Sequence, residues 1–216
     1  MKVKVLQNIL DANNQIAHRN REALDKAGVF AINIMSSPGA GKTSLILQTI
    51  AQLKDKVRIA VIEGDIASTI DADKIGKTEI PVVQINTGGA CHLDANMINN
   101  ALDNLSLKDI DLLFIENVGN LVCPAEFKLG AHKQMMLLST PEGDDKPYKY
   151  PLMFTESEVI VLNKIDLLPH LDFDVKAFEK AVRGINPGVK IFPVSCKTGE
   201  GLDDWISWLE AALKGR

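Results

Sequence analysis

A chain of 216 residues, 46% apolar and 24% charged, is long enough to bury a full core and has the composition of an ordinary soluble globular protein. Its net charge of -4 and lack of a Lys/Arg block argue against a nucleic-acid partner, and no apolar run approaches the ~18 residues of a membrane span. Three cysteines, an odd number, behind an N-terminus too polar for a signal peptide imply a cytoplasmic location and thiols rather than disulfides.

Residues 4–27 place Val5, Leu6, Ile9, Ile16, Ala17 and Leu24 at helical spacing and stop at Gly28, which predicts an amphipathic N-terminal helix. Short apolar runs at 29–35, 57–64, 81–86, 111–117, 133–140, 158–163 and 189–195 then alternate with helical patterns, notably 43–54, 93–105, 173–184 and 201–213. Strands this uniformly apolar suggest burial on both faces, and strand–helix alternation implies parallel pairing with right-handed crossovers. The fold class is therefore α/β, a mostly parallel sheet of about seven strands flanked by helices, plus the N-terminal helix. Residues 141–157 are too polar for core and read as a surface loop.

In such sheets ligands bind at the carboxyl ends of the strands, and every motif in this chain sits there. After the first strand comes SSPGAGKTS, residues 36–44. Gly39, Ala40 and Gly41 let successive N–H groups curl around a phosphate, ahead of a helix that starts near Thr43 and Ser44. Lys42 can reach the β- and γ-phosphates, and the Thr43 hydroxyl suits Mg²⁺. The pattern departs from the usual one at Ser36, where a glycine is common. Asn163-Lys164-Ile165-Asp166 follows a strand, and the Asp166 carboxylate can accept from N1–H and the exocyclic amine of guanine. Ser195-Cys196-Lys197, after the last strand, can offer backbone N–H to the guanine O6. The nucleotide is thus GTP, hydrolysed in a P-loop NTPase.

Two acidic strand ends complete the expected Mg²⁺ shell with Thr43, namely Asp65 and Glu116, which with Lys42 form the catalytic set. Gly119 can donate to the γ-phosphate. Cys91 and His92 follow the third strand and Cys123 the fourth, so both loops emerge at one edge and can converge. Two thiolates and an imidazole suit Zn²⁺ or Ni²⁺, and three ligands leave one position for a water or a second chain. Cysteines buried as small hydrophobes are the bland alternative.

The segments MSSPGAGKTS, EGDIASTIDA, TGGACHLDA, FIENVGNLVCPAEF, EGDDKPYKYP and VLNKIDLLP, in that order, resemble the HypB family of hydrogenase maturation GTPases over nearly the whole chain. The resemblance implies a single G domain over residues 1–216, with 1–28 its N-terminal helix and 29–216 a GTPase core carrying the metal-binding loops. It also implies a GTP-promoted homodimer of the SIMIBI class that inserts nickel into [NiFe]-hydrogenase. Its partners would be the metallochaperone HypA and the hydrogenase large subunit precursor, with Ni²⁺ or Zn²⁺ bound by Cys91, His92 and Cys123 at the subunit interface. Many bacterial members carry an N-terminal CxxCGC motif or a histidine-rich run; this chain has neither, so no tight N-terminal nickel site is expected. A urease-type maturation GTPase, whose metal triplet is Cys-Pro-His, matches less well. A partitioning ATPase lacks NKxD and has an extra lysine that this chain lacks. A metal-binding module with incidental GTP turnover is the remaining alternative.

Overall fold

In the computed structural model, which describes residues 8–215, seven strands form one sheet in the order β3-β2-β4-β1-β5-β6-β7, every neighbouring pair parallel. They are β1 (Phe30–Ser36), β2 (Ile59–Asp65), β3 (Val82–Asn86), β4 (Leu112–Glu116), β5 (Lys133–Ser139), β6 (Val159–Asn163) and β7 (Lys190–Pro193). The period-2 geometry of a strand sends alternate residues to opposite faces. Phe30, Ile32 and Ile34 join one layer with Leu45, Ile50 and Trp205, while Ala31, Ala60, Ile62, Leu113 and Ile115 join another with Leu24 and Ile98. A third cluster under β5 and β6 gathers Met136, Leu138, Ile160, Phe154 and Phe178. The expected burial on both faces holds for the central strands. It does not for β3 and β7, which lie at the sheet edges and are only partly covered.

The helices are α1 (Asn8–Ala27), α2 (Lys42–Leu53), α3 (Ile70–Gly76), α4 (Ala95–Leu102), α5 (Lys146–Lys149), α6 (Pro151–Glu156), α7 (Val175–Ile185) and α8 (Leu202–Lys214). Val5 and Leu6 lie outside the described residues. The face that α1 buries is Asn13, Ala17, Asn20 and Leu24, not a fully apolar stripe, and Ile16 is only half-covered. The asparagines are satisfied at long range. Asn20 Nδ2 donates to the Ala95 and Leu129 carbonyls at 2.8 and 3.0 Å, and Asn13 accepts from Ala95 N while donating to Lys128 O. Buried amides paired in this way fix the position of α1 more sharply than apolar contact alone.

The reading of 141–157 as surface loop is corrected. This segment folds into α5 and α6 and buries Met153 and Phe154 completely. Its Glu142 also closes a capping box with Ser139 and accepts from Ser37 Oγ of the phosphate loop. High charge in EGDDKPYKYP hid a short apolar face one turn later. Among the described residues, no helix is long and apolar enough to cross a membrane.

Candidate nucleotide and metal sites

The connection from β1 runs to β2 on one side and that from its neighbour β4 runs to β5 on the other, which opens a crevice at the carboxyl ends of β1 and β4. Residues 37–41 fill that crevice. Gly41 has φ of 107° and is the N-cap of α2, and a Cβ there would collide with Asn163 Nδ2. Only glycine serves that position, because it must both turn left-handed and admit the neighbouring loop. Lys42 is buried, its Nζ 3.1 Å from Ser36 Oγ. Ser36 itself keeps ordinary strand geometry, so the position that often needs glycine works here because the hydroxyl donates to Ser37 O at 2.6 Å.

The end expected to take the base is a cleft of about 510 Å³ lined by Gly39, Gly41, Ser44, Asn163, Lys164, Asp166, Leu167, Cys196 and Lys197. Asn163 Nδ2 donates to Ala40 O at 3.0 Å, tying the second loop to the first. Lys164 takes the left-handed φ of 64°, which costs a side-chain-bearing residue about 1 kcal/mol or more. The turn is held by Lys164 Nζ on Gly39 O and by Thr140 Oγ1 on Lys164 O, both at 2.7 Å. Ser195 Oγ donates to one Asp166 oxygen at 2.7 Å, which orients the carboxylate. Cys196 N–H is spent on Asn163 Oδ1 at 3.2 Å, so the amide of that residue ties the two loops together. Burial pushes the Cys196 thiol up to about 11.

The end expected to take the phosphates is a smaller cavity of about 270 Å³ reached by Pro38, Lys42, Glu63, Asp65, Asp71, Glu116 and Gly119. Thr43 Oγ1 donates to Glu116 Oε1 at 2.9 Å, so two of the three expected Mg²⁺ ligands meet. The third, Asp65, lines the cavity, but its Oδ1 is turned onto its own loop and accepts from Ala67 N and Ser68 N at 3.0 and 2.7 Å. Those bonds hold its pKa down. Two carboxylates outside the sequence reading take its place beside Glu116, namely Glu63 and Asp71, whose oxygens and those of Glu116 lie within 4.8 Å of one another. Glu63 is opposite Glu116 in register and almost fully buried. Burial first, then the neighbouring Glu116 charge, raises its pKa to about 8. Burial raises Glu116 to about 7 against the pull of Lys42. One oxygen of each, Oε2, is buried without a hydrogen-bond partner. Hard, unpaired oxygens beside a threonine hydroxyl fit Mg²⁺. The signal in the sequence was a glutamate inside the otherwise apolar run IAVIEG.

The soft ligands also converge. Cys91 and Cys123 are free thiols with sulfurs 3.1 Å apart, and Cys91 Sγ is 3.7 Å from His92 Nδ1. A tetrahedral ion with bonds of 2.0–2.3 Å spaces its ligands by about 3.3–3.8 Å, so little movement would seat one. The His92 ring stacks on Phe127 with centroids 3.9 Å apart, and burial lowers its pKa, favouring the neutral, ligating form. The Cys123 pKa is raised, first by its hydrogen bond with the Cys91 thiol and then by burial. The helix that follows starts only at Ala95, capped by Asp94, so Cys91 and His92 lie in irregular backbone and can face one point.

A family model described as CobW/HypB/UreG, nucleotide-binding domain, matches residues 30–193. The hydrogenase maturation factor HypB of Escherichia coli (strain K12) is 50% identical over 202 residues, which cover 94% of this chain and 70% of that protein. Among solved structures, HypB from Helicobacter pylori in complex with nickel matches with a TM-score of 0.90 at 39% identity, covering 94% of this chain and 96% of that one. The hydrogenase maturation factor HypB from Archaeoglobus fulgidus gives a TM-score of 0.88 at 40% identity, covering 94% and 99%. With a nucleotide-binding core and close likeness in sequence and structure, the chain belongs to the HypB family of hydrogenase maturation factors.

Proposed function

We propose that this chain is a GTP-hydrolysing metallochaperone, one G domain over residues 1–216, that carries Ni²⁺ or Zn²⁺ and assists GTP-dependent nickel insertion into [NiFe]-hydrogenase. The observation that carries the reading is the convergence of Cys91, His92 and Cys123, the last on a loop whose first residues, Asn117, Val118 and Gly119, line the phosphate cavity. A nickel complex of the H. pylori relative supports the choice of ion. GTP lies with its base against Asp166, Lys164 and the Ser195–Lys197 loop and its phosphates on the N–H groups of residues 39–44. Lys42 neutralises charge on the β- and γ-phosphates, and Gly119 N–H faces the γ-phosphate. A Cβ at Gly119 would meet Pro38 Cα at 2.9 Å, so this loop touches the phosphate loop backbone to backbone. Thr43 and Glu116, with Glu63 and Asp71 beside them, would hold Mg²⁺, which would supply charge neutralisation at the transferred phosphoryl group, while Asp65 stays turned onto its own loop.

Three protein ligands leave a tetrahedral ion one short, and a second copy of the chain is the partner that completes it by symmetry. Closure of two chains with GTP, and loosening after hydrolysis, would gather and release the cargo. HypA and the hydrogenase large subunit precursor are the donor and recipient in this scheme.

Two variants test the two halves separately. Lys42→Ala should cut GTP turnover by about 10²–10³-fold while circular dichroism stays unchanged, the scale for losing one charge-stabilising group. Cys123→Ala should lose high-affinity Ni²⁺ and Zn²⁺ binding by equilibrium dialysis while still binding GDP. Undiminished turnover in the first, or undiminished metal binding in the second, would remove that half of the proposal.

A further inference from the structure

The loop between β4 and Cys123 is held at two points, Asn117 and Asn120. At the root, Asn117 is fully buried and holds three elements together. Its N–H donates to Ile34 O of β1 at 3.0 Å, its Nδ2 to Asn33 Oδ1 at 3.1 Å, and its Oδ1 accepts from Leu93 N at 3.0 Å. Leu93 follows His92 directly, so the metal loop is pinned to the sheet on its C-terminal side. Three residues further on, Asn120 makes a different set of contacts. Its N–H donates to Ser36 O, where β1 gives way to the phosphate loop, at 2.7 Å. Its Nδ2 donates to Cys91 O at 3.2 Å, and its Oδ1 accepts from Val122 N, next to Cys123, at 2.8 Å.

Cys91 and His92 therefore lie between an anchor set in the sheet and an anchor carried by the residue after Gly119. Any shift of Gly119 toward or away from a γ-phosphate moves Asn120 by covalent connection. Through one side-chain amide that shift reaches the Cys91 carbonyl and the Val122–Cys123 backbone together. Asn117 cannot do this, because its side-chain amide bonds Asn33 and Leu93 N and reaches neither the Cys91 carbonyl nor the Val122–Cys123 backbone.

We infer that Asn120 is the positioning residue that links nucleotide state to the arrangement of Cys91, His92 and Cys123. The inference rests on the reading of these three residues as a cargo site in a GTPase. Removing the amide should leave both sites standing and disconnect them. Coupled sites of this kind differ in affinity by about 5–150-fold between states.

The test is a Ni²⁺ titration, followed by thiolate-to-nickel absorbance against a competing chelator, of full-length wild type and Asn120→Ala. Each is loaded with Mg²⁺ and either GDP or a non-hydrolysable GTP analogue. The expected result is a nucleotide-dependent ratio of Ni²⁺ affinities in the wild type that falls to within about 2-fold of unity in Asn120→Ala. Affinity in the GDP state should persist to within about 3-fold, which a merely structural defect would not leave intact. Should Asn120→Ala fail to hold GDP, Asn120→Asp is read in its place, since it keeps the acceptor for Val122 N and loses only the donor to Cys91 O. A variant that retains the wild-type ratio overturns the role of Asn120 and leaves the cargo site intact. A wild type with the same Ni²⁺ affinity in both nucleotide states overturns the nucleotide-linked cargo site itself.

Discussion

Asp166→Asn is expected to weaken GTP binding by about 3–5 kcal/mol and to turn the cleft toward xanthine nucleotides. The wild-type carboxylate offers acceptors to two guanine donors, N1–H and the exocyclic amine. Ser195 Oγ already occupies one Asp166 oxygen at 2.7 Å, so the side chain is oriented before the base arrives. In the variant Ser195 can keep that bond to the amide oxygen, which leaves Nδ2 pointing into the cleft. There a donor meets donors, and each buried donor left unpaired costs about 1–3 kcal/mol. Xanthine presents a carbonyl where guanine has its amine and so matches the new donor. Calorimetric titration with GTP and xanthosine triphosphate checks both statements, and GTP affinity equal to wild type would refute the assignment of the base site.

Glu63→Gln should remove a pH dependence of stability rather than an activity. In the protein without nucleotide or Mg²⁺, Glu63 faces Glu116, Asp65 and Asp71, with Gln84 opposite on β3, and its pKa stands at about 8. A carboxyl raised in the folded state favours folding only while protonated. Its contribution is complete below the unfolded value of about 4.3 and is lost as pH rises through about 8. Glutamine keeps the shape of the neutral acid and cannot ionise. The variant should therefore match wild type near pH 4 and exceed it at pH 8 by about 2–4 kcal/mol, or roughly 5–15 °C in Tm. Glu116, raised in the same direction, keeps a smaller slope in the variant. Parallel melting profiles for the two proteins across pH 5–8 would show that the Glu63 charge is already compensated.

The seven-stranded sheet was legible because uniformly apolar runs and strand–helix alternation are written locally. The geometry of the loops at 37–41 and 163–166 was legible for a related reason, since the backbone there demands particular residues at fixed offsets. What escaped was set by tertiary placement. Glu63 reads as a chance polar residue until β4 sets Glu116 beside it, and Asp71 lies on α3, a short helix without strong periodicity. The buried face of α1 includes Asn13 and Asn20, which any hydrophobicity pattern assigns to solvent. The helices of 146–156 were concealed by the charges that precede them, while Met153 and Phe154 supplied their core contact.

The pairing of Asn20 with Leu129 has a consequence for synthesis of the chain. The two residues are 109 positions apart, so at about 5–20 residues per second the ribosome needs about 5–20 s to deliver the second after the first. Throughout that interval α1 must wait with its inner face open to water. A face of leucines would invite chance partners while it waited. Half of this one is asparagine, hydrated at no loss and unattractive to passing chains, and it becomes adhesive only when the Ala95 and Leu129 carbonyls arrive at the right spacing.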